Sequence, residues 1–288
     1  MAIDPADLPD FDIMLGGFPC QSFSIIGQRE GMSDGRGQII VGLAKILREK
    51  RPGYFLLENV KGLLNHDNGK TLEIIIDLLA ASGYEVSHQL IRSMDVGIPQ
   101  MRERVFLAGA RSDLTSGFEL RSPVPRRLRK LGEFLVDKDP NHELQLDTAK
   151  GETFQKYLNN KYNTGRHNLN DYLSEEGLVL DTLQSDLRIY RDVVPTLRTG
   201  RHGILYVRNR RLRYLSGLEA LLLQGVPMKL AKKAAGRLNN RSLLSQAGNA
   251  ITIPAVVEVA GQLFGEFAPT RLGRTTKRST ESQLALAA

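Results

Sequence analysis

Apolar positions divide the chain into stretches of different texture. Residues 11–15 (Phe-Asp-Ile-Met-Leu) read as a buried strand leaving through Gly16-Gly17, and the Gly- and Ser-rich segment that follows to Gly37 is too long for an ordinary turn. Ile39, Leu43, Ile46 and Leu47 recur at helical spacing, predicting a helix over 38–50 that stops ahead of Pro52. Strands are predicted at 54–57, 84–91 and 105–110, with a helix at 71–81 closed by Gly83. Strands alternating with helices predict a layered α/β fold on a mostly parallel sheet.

After Arg111 the pattern dissolves. Residues 112–190 are polar and rich in Asn, Asp and Lys, and predict a second, smaller domain of irregular or β character. Helices return at 216–224 and at 254–264, where Pro254 is tolerated in the first turn. From Pro269 the Arg-, Thr- and Ser-rich sequence reads as a disordered tail. The expected division is 1–111, 112–200, a return to the first domain over 201–267, and the tail at 268–288.

Composition is that of an ordinary globular protein, with 41% hydrophobic and 25% charged residues. No single apolar run approaches the roughly 20 residues that cross a bilayer, and Met1-Ala2-Ile3-Asp4-Pro5 does not resemble a secretory signal, so a cytoplasmic protein without a membrane partner is expected. One cysteine cannot form an internal disulfide and leaves a free thiol. His66, His88, His142, His167 and His202 are too scattered for a zinc site, and no metal is expected.

Charge changes the picture more. The net charge is +7, and between Arg188 and Arg213 eight arginines face one acid, Asp192. A second cluster comprises Arg121, Arg126, Arg127, Arg129 and Lys130. Clustered guanidinium groups suit phosphate contact, but a solvated basic face or a membrane-surface patch has the same signature.

The sharpest signal is Gly16-Gly17-Phe18-Pro19-Cys20-Gln21-Ser22-Phe23-Ser24. A lone cysteine is ordinarily an inert buried hydrophobe. This one follows a predicted strand, where α/β domains bind ligands, with glycines that allow close approach. The segment resembles the catalytic loop of the DNA cytosine-5 methyltransferases. In order along the chain, Leu57-Glu58-Asn59-Val60, Gly97-Ile98-Pro99-Gln100-Met101-Arg102-Glu103-Arg104, Pro195-Thr196-Leu197 and Gln246-Ala247-Gly248-Asn249-Ala250-Ile251 resemble further elements of that family. The last has Ala250 and Ile251 where the family usually has Ser and Val, both small changes.

The resemblance implies a partial Rossmann-like S-adenosylmethionine-dependent methyltransferase sheet with a smaller, irregular or β target-recognition domain. It implies a chemistry as well. Cys20 adds to C6 of a cytosine flipped from duplex DNA, and C5 then attacks the sulfonium methyl group. By the same resemblance Glu58 donates to N3, Asn59 holds the base or the loop, Arg104 contacts O2 and steadies Glu58, and Arg102 supports the loop. Phe18, Pro19, Ile39, Asn249 and Ile251 are implied at the methyl donor. The 16–38 loop is the implied lid, with Gln21, Ser22 and Ile26 approaching the gap in the helix. Arg36, Gln100, Arg198 and Arg201 are expected at DNA, within or beside a reading region at 112–200.

The family's Gly-rich donor loop and the acidic residue for the ribose have no counterpart here. The strand at 11–15 is therefore expected to be an apolar edge that a separate, complementing polypeptide covers. An inactive DNA-binding remnant and an RNA cytosine-5 methyltransferase are the alternatives. A cysteine hydrolase finds no Cys/His spacing to support it.

Overall fold

The computed structural model describes residues 4–18, 38–115, 117–200 and 202–265. Strand β1 (Ile13–Gly17) is followed by helix α1 (Gln38–Lys50), whose bounds match the predicted helix. Strand β2 (Tyr54–Val60) extends the predicted strand through Glu58 and Asn59. Helix α2 (Lys70–Ala80) and strand β3 (Tyr84–Arg92) come next. A two-residue strand β4 (Gln100–Met101) precedes β5 (Glu103–Arg111).

These strands form a sheet in the order β1-β2-β5-β3. Only the β1–β2 pairing is parallel; β5 runs antiparallel to both β2 and β3. The expectation of a mostly parallel sheet is thus corrected. The ten residues between β3 and β5 are too few for a crossover helix, so β5 folds straight back and inserts beside β2.

Odd and even positions of β2 face different cores. Phe55 and Leu57 pack with Met14, Phe18, Ile40 and Leu47 under α1 and α2. Leu56 packs with Phe106, Ala108, Ala255 and Val259 on the opposite face. Being covered on both sides, β2 reads as a continuous apolar run, which made it legible in sequence. Gly109 sits directly beneath the Phe55 ring, where an added Cβ would lie 2.2 Å from it. Strand β1 is the sheet's edge, with β2 as its neighbour among the described residues and Leu15 60% exposed.

The stretch expected to be irregular or β contains helices α3 (Ala149–Leu158) and α4 (Leu169–Leu173), ahead of strands β6 (Val179–Asp181), β7 (Arg188–Tyr190) and β8 (Val194–Pro195). Both helices start at side-chain caps, Thr148 and Asn168, and α3 buries little beyond Phe154, so no apolar periodicity announced them. Strands β9 (Ile204–Arg208) and β10 (Arg211–Tyr214) complete a second sheet in the order β10-β9-β6-β7. Half of that sheet therefore comes from beyond residue 200. The short β4 pairs in parallel with β8 and ties the two regions together.

Helices α5 (Gly217–Leu222), α6 (Met228–Ala235), α7 (Asn240–Asn249) and α8 (Ile253–Phe264) close the described chain. By length and composition Asn240–Phe264 is apolar enough to cross a membrane, which the search for single apolar runs did not register. It is two helices, broken by extended backbone at Ala250, and α8 buries Ala255, Val259 and Leu263 against the first sheet.

Candidate active site

Glu58 and Arg104 lie on adjacent strands in a diagonal relation, since Val60 is opposite Arg104 and Glu58 opposite Phe106. In an antiparallel pair such residues share a face within side-chain reach. Arg104 Nε stands 2.7 Å from Glu58 Oε1, with both side chains mostly buried. Burial pushes the Arg104 guanidinium below its ordinary value; Glu58 opposes that shift, while the like charge of Arg198 adds to it. On the other side of the carboxylate is Gly17, the β1 residue in register with Glu58. A Cβ there would sit 3.6 Å from Glu58 Oε2, in ordinary van der Waals contact, so Gly17 lies directly beside the carboxylate.

Asn59 points to the opposite face, and its Nδ2 donates to the Phe18 carbonyl at 3.0 Å. The amide is 2% exposed, and its Oδ1 accepts from Val60 N–H. Asn59 thus fixes the last described residue before Pro19 and Cys20. Of the expected residues, Pro19, Cys20, Gln21, Ser22, Ile26, Arg36 and Arg201, with the lid and the tail, lie outside the described residues.

Arg102 is 3% exposed and donates to three backbone carbonyls, of Leu197 at 3.1 Å, Gly248 at 3.4 Å and Ala250 at 2.6 Å. It clamps the start of β5 to the segment after β8 and to the end of α7. Burial, together with the neighbouring Arg104, pushes its guanidinium down to about 10. Gln100, expected at DNA, is fully buried instead. Its Nε2 donates to Leu223 O and its Oε1 accepts from Leu197 N–H, which leaves neither end for a nucleic acid.

The open space beside this frame is a cleft of about 480 Å³, lined among others by Lys61, Met101, Arg104, Thr196, Arg198 and Gly248. That volume suits a small ligand or a single base. Arg198 is exposed at its wall. Of the residues expected at the methyl donor, Phe18 is buried under α1, and Ile39 is exposed on α1. Asn249 is exposed as the last residue of α7, and Ile251 packs on the α8 face. Phe18 and Ile251 pack in separate cores on the two faces of the sheet.

Sequence reasoning missed a buried polar chain behind the cleft. Ser93 Oγ meets Thr252 Oγ1 at 2.8 Å; Thr252 donates to Gln224 Oε1, and Gln224 Nε2 donates to Ala247 O. Its signal was present, since Gln224 is the one polar residue in the run 220–226, and burial demands partners for it.

Residues 1–265 match the family model described as C-5 cytosine-specific DNA methylase. The chain belongs to that family. It is 32% identical over 264 residues to the type II methyltransferase M.HaeII of Haemophilus aegyptius, covering 91% of this chain and 76% of that protein. It is 31% identical over 266 residues to the type II methyltransferase M1.ScrFI of Lactococcus lactis subsp. cremoris, covering 91% of this chain but only 64% of that protein. In fold it is similar to the Entamoeba histolytica methyltransferase EhMeth, with a TM-score of 0.60 at 16% identity, over 88% of this chain and 77% of that one. At that identity the likeness is one of architecture. A C5 methylase fold thus accounts for the β1–β2–β5 frame that carries Glu58, Asn59, Arg102 and Arg104.

Proposed function

We propose that this chain carries the catalytic and DNA-reading parts of a DNA cytosine-5 methyltransferase that uses S-adenosylmethionine. The observation that carries the reading is the placement of Glu58 between Gly17 and Arg104, the latter lining a cleft with room for an extruded base. Asn59 holds the Phe18 carbonyl, two residues before Cys20 in the chain.

In the proposed mechanism Glu58 takes up a proton as the extruded cytosine binds and passes it to N3 while the Cys20 thiolate adds to C6. Arg104 holds the Glu58 carboxyl in position and offers its remaining N–H groups to the base oxygen. C5 takes the methyl group as its bond to the donor sulfur breaks, and solvent carries off the C5 proton. The C6–S bond then breaks, returning the thiolate while N3 gives its proton back to Glu58. Arg102 acts at a distance by fixing the walls of the cleft.

S-adenosylmethionine supplies the electrophilic methyl group. Exposed Ile39 offers it apolar surface and Asn249 a polar amide, with Phe18, Pro19 and Ile251 nearby in sequence. None of these is acidic, so they fit only part of such a ligand, and its ribose needs a carboxylate from elsewhere. Edge strand β1, with Leu15 60% exposed, fits a further strand docking there, from a complementing polypeptide or from the rest of a longer chain. Duplex DNA is the proposed substrate, and the second sheet with its arginines is the proposed reading domain.

The test is methyl transfer from labelled S-adenosylmethionine to mixed-sequence duplex DNA, by this chain alone and with the N-terminal segment of a related enzyme added. Transfer only on addition supports the full reading. Transfer by the chain alone removes the need for a complement. Absence of transfer in both, with DNA still bound, leaves a binding remnant.

A further inference from the structure

Next to the reaction cleft lies a second cavity of about 140 Å³, and the two share Met101, Thr196 and Arg198 as a common wall. The far side of this cavity is formed by Leu183 and Gln184 of the loop between β6 and β7 and by Arg188 at the start of β7. We infer that this loop, residues 182–187, with Arg188 at the start of β7, is a base-reading element, in which Gln184 and Arg188 reach the edges of base pairs beside the target cytosine. The inference rests on the methyltransferase reading and goes on to name the residues that set its sequence preference.

Three observations carry it. The first is position. The two cavities adjoin across Met101, Thr196 and Arg198, so the loop stands beside the point where a cytosine would enter at Arg104.

The second is rigidity. Thr182 N–H and Oγ1 both donate to Gly203 O, and Leu183 N–H donates to Asp181 Oδ1. The Gln184 carbonyl accepts from the Tyr157 hydroxyl at 2.9 Å. The Ser185 carbonyl accepts from both Asn160 and Asn163, and Leu187 N–H donates to Asn163 Oδ1. Asn163 itself is fully buried, and its amide also donates to Tyr157 O. A loop this short, with its backbone held at each of these points, spends its polar groups on its own shape. Rigid presentation of side chains is what discrimination between bases requires.

The third is chemistry. Gln184 has no side-chain hydrogen bond among the described residues and is half-buried at the cavity wall. Arg188 is opposed by Asp181 across the β6–β7 pair, and its own ion pair with Asp186 spans 3.8 Å between half-exposed groups, too weak to hold it. Glutamine and arginine are the side chains that pair bidentately with adenine and with guanine in the major groove. Backbone arginine contacts with phosphate would need no such cavity.

The test is selection from a pool of double-stranded DNA randomised on both sides of a central C·G pair. The full chain is compared with Gln184→Ala, Arg188→Ala and Lys229→Ala, and the bound duplexes are sequenced. Lys229 is an exposed lysine on α6, away from both cavities. We expect the unaltered chain and Lys229→Ala to enrich one motif. Gln184→Ala and Arg188→Ala should each lose preference at one position of it, from about tenfold or more to near none, with thermal melting unchanged. If both variants enrich the unaltered motif, the inference is wrong while the methyltransferase reading stands. If the unaltered chain enriches no motif at all, the reading beneath it fails too.

Discussion

Arg104 meets Glu58 across the diagonal of β2 and β5, at 2.7 Å, and among the described residues no other acid pairs with that guanidinium. The pair is a mutual neutralisation: each charge is tolerable at 14–18% side-chain exposure only because of the other. Glu58→Gln keeps the shape and removes the proton donor. It should fold, bind duplex DNA as before, and lose methyl transfer by about 10²–10⁴-fold. Single-turnover transfer in the complemented enzyme checks this, and a loss under tenfold would remove Glu58 from the chemistry.

Arg102 makes a separate prediction, because its partners are carbonyls. Arg102→Ala leaves Leu197 O, Gly248 O and Ala250 O without the donor that joins them, and should cost about 3 kcal/mol of stability. Arg102→Lys places one point charge where a planar fork served three acceptors, and should recover less than half of that loss. Urea unfolding midpoints of the two variants decide it. Equal stability of Lys and Arg at this position would refute the clamp.

Gly248 is needed for close approach. A Cβ there would lie 2.3 Å from Thr199 N and 2.4 Å from Arg198 C, both backbone atoms that cannot swing aside. Gly248→Ala should cost about 1–3 kcal/mol and weaken DNA binding by shifting Arg198. Gly42, in the middle of α1, has nothing within 4 Å of its would-be Cβ, so Gly42→Ala should be neutral or stabilising by about 0.5–1 kcal/mol. Melting temperatures of the two alanine variants should move in opposite directions.

These contrasts also mark how far the sequence could be read. Strand β2 and helix α1 were legible because burial on both faces, or on one helical stripe, writes itself into the spacing of apolar residues. Glu58 and Arg104 were found through a resemblance; their contact depends on the register of β2 against β5, which single-sequence periodicity does not carry. For the same reason Gln100 was expected at DNA. A polar residue in a loop reads as exposed, and only the packing of α5 and the segment after β8 around it reveals a buried brace. Helix α7 escaped because Arg241, Ser242, Ser245, Gln246 and Asn249 cover most of its surface, and its cap at Asn239 and its contact with α5 hold it in place. The pinned β6–β7 loop left no trace at all, since its anchors, Tyr157, Asn160 and Asn163, lie more than twenty residues away in the chain.

Asp137 gives a prediction in pH. Burial alone would raise its carboxyl, but hydrogen bonds from Asp139 N–H, the Ser216 side chain and His142 outweigh burial and hold it below its ordinary range. A carboxyl depressed on folding stabilises the folded state above its unfolded pKa, about 3.9, and that contribution is lost as the pH falls through the depressed value. Asp137→Asn should therefore cost about 1–3 kcal/mol at pH 7, and the gap to the unaltered chain should narrow from about pH 4 downward. Nearby Glu219 runs the other way: burial raises it, so its contribution is present in acid and falls as the pH rises past the ordinary glutamate range. The Asp137 charge is itself one cause of the raised Glu219, so the difference between the urea midpoints at pH 7, 5, 4 and 3 reports on Asp137 together with its effect on Glu219. A gap that stays constant across that series would mean that Asp137 serves the fold through shape alone.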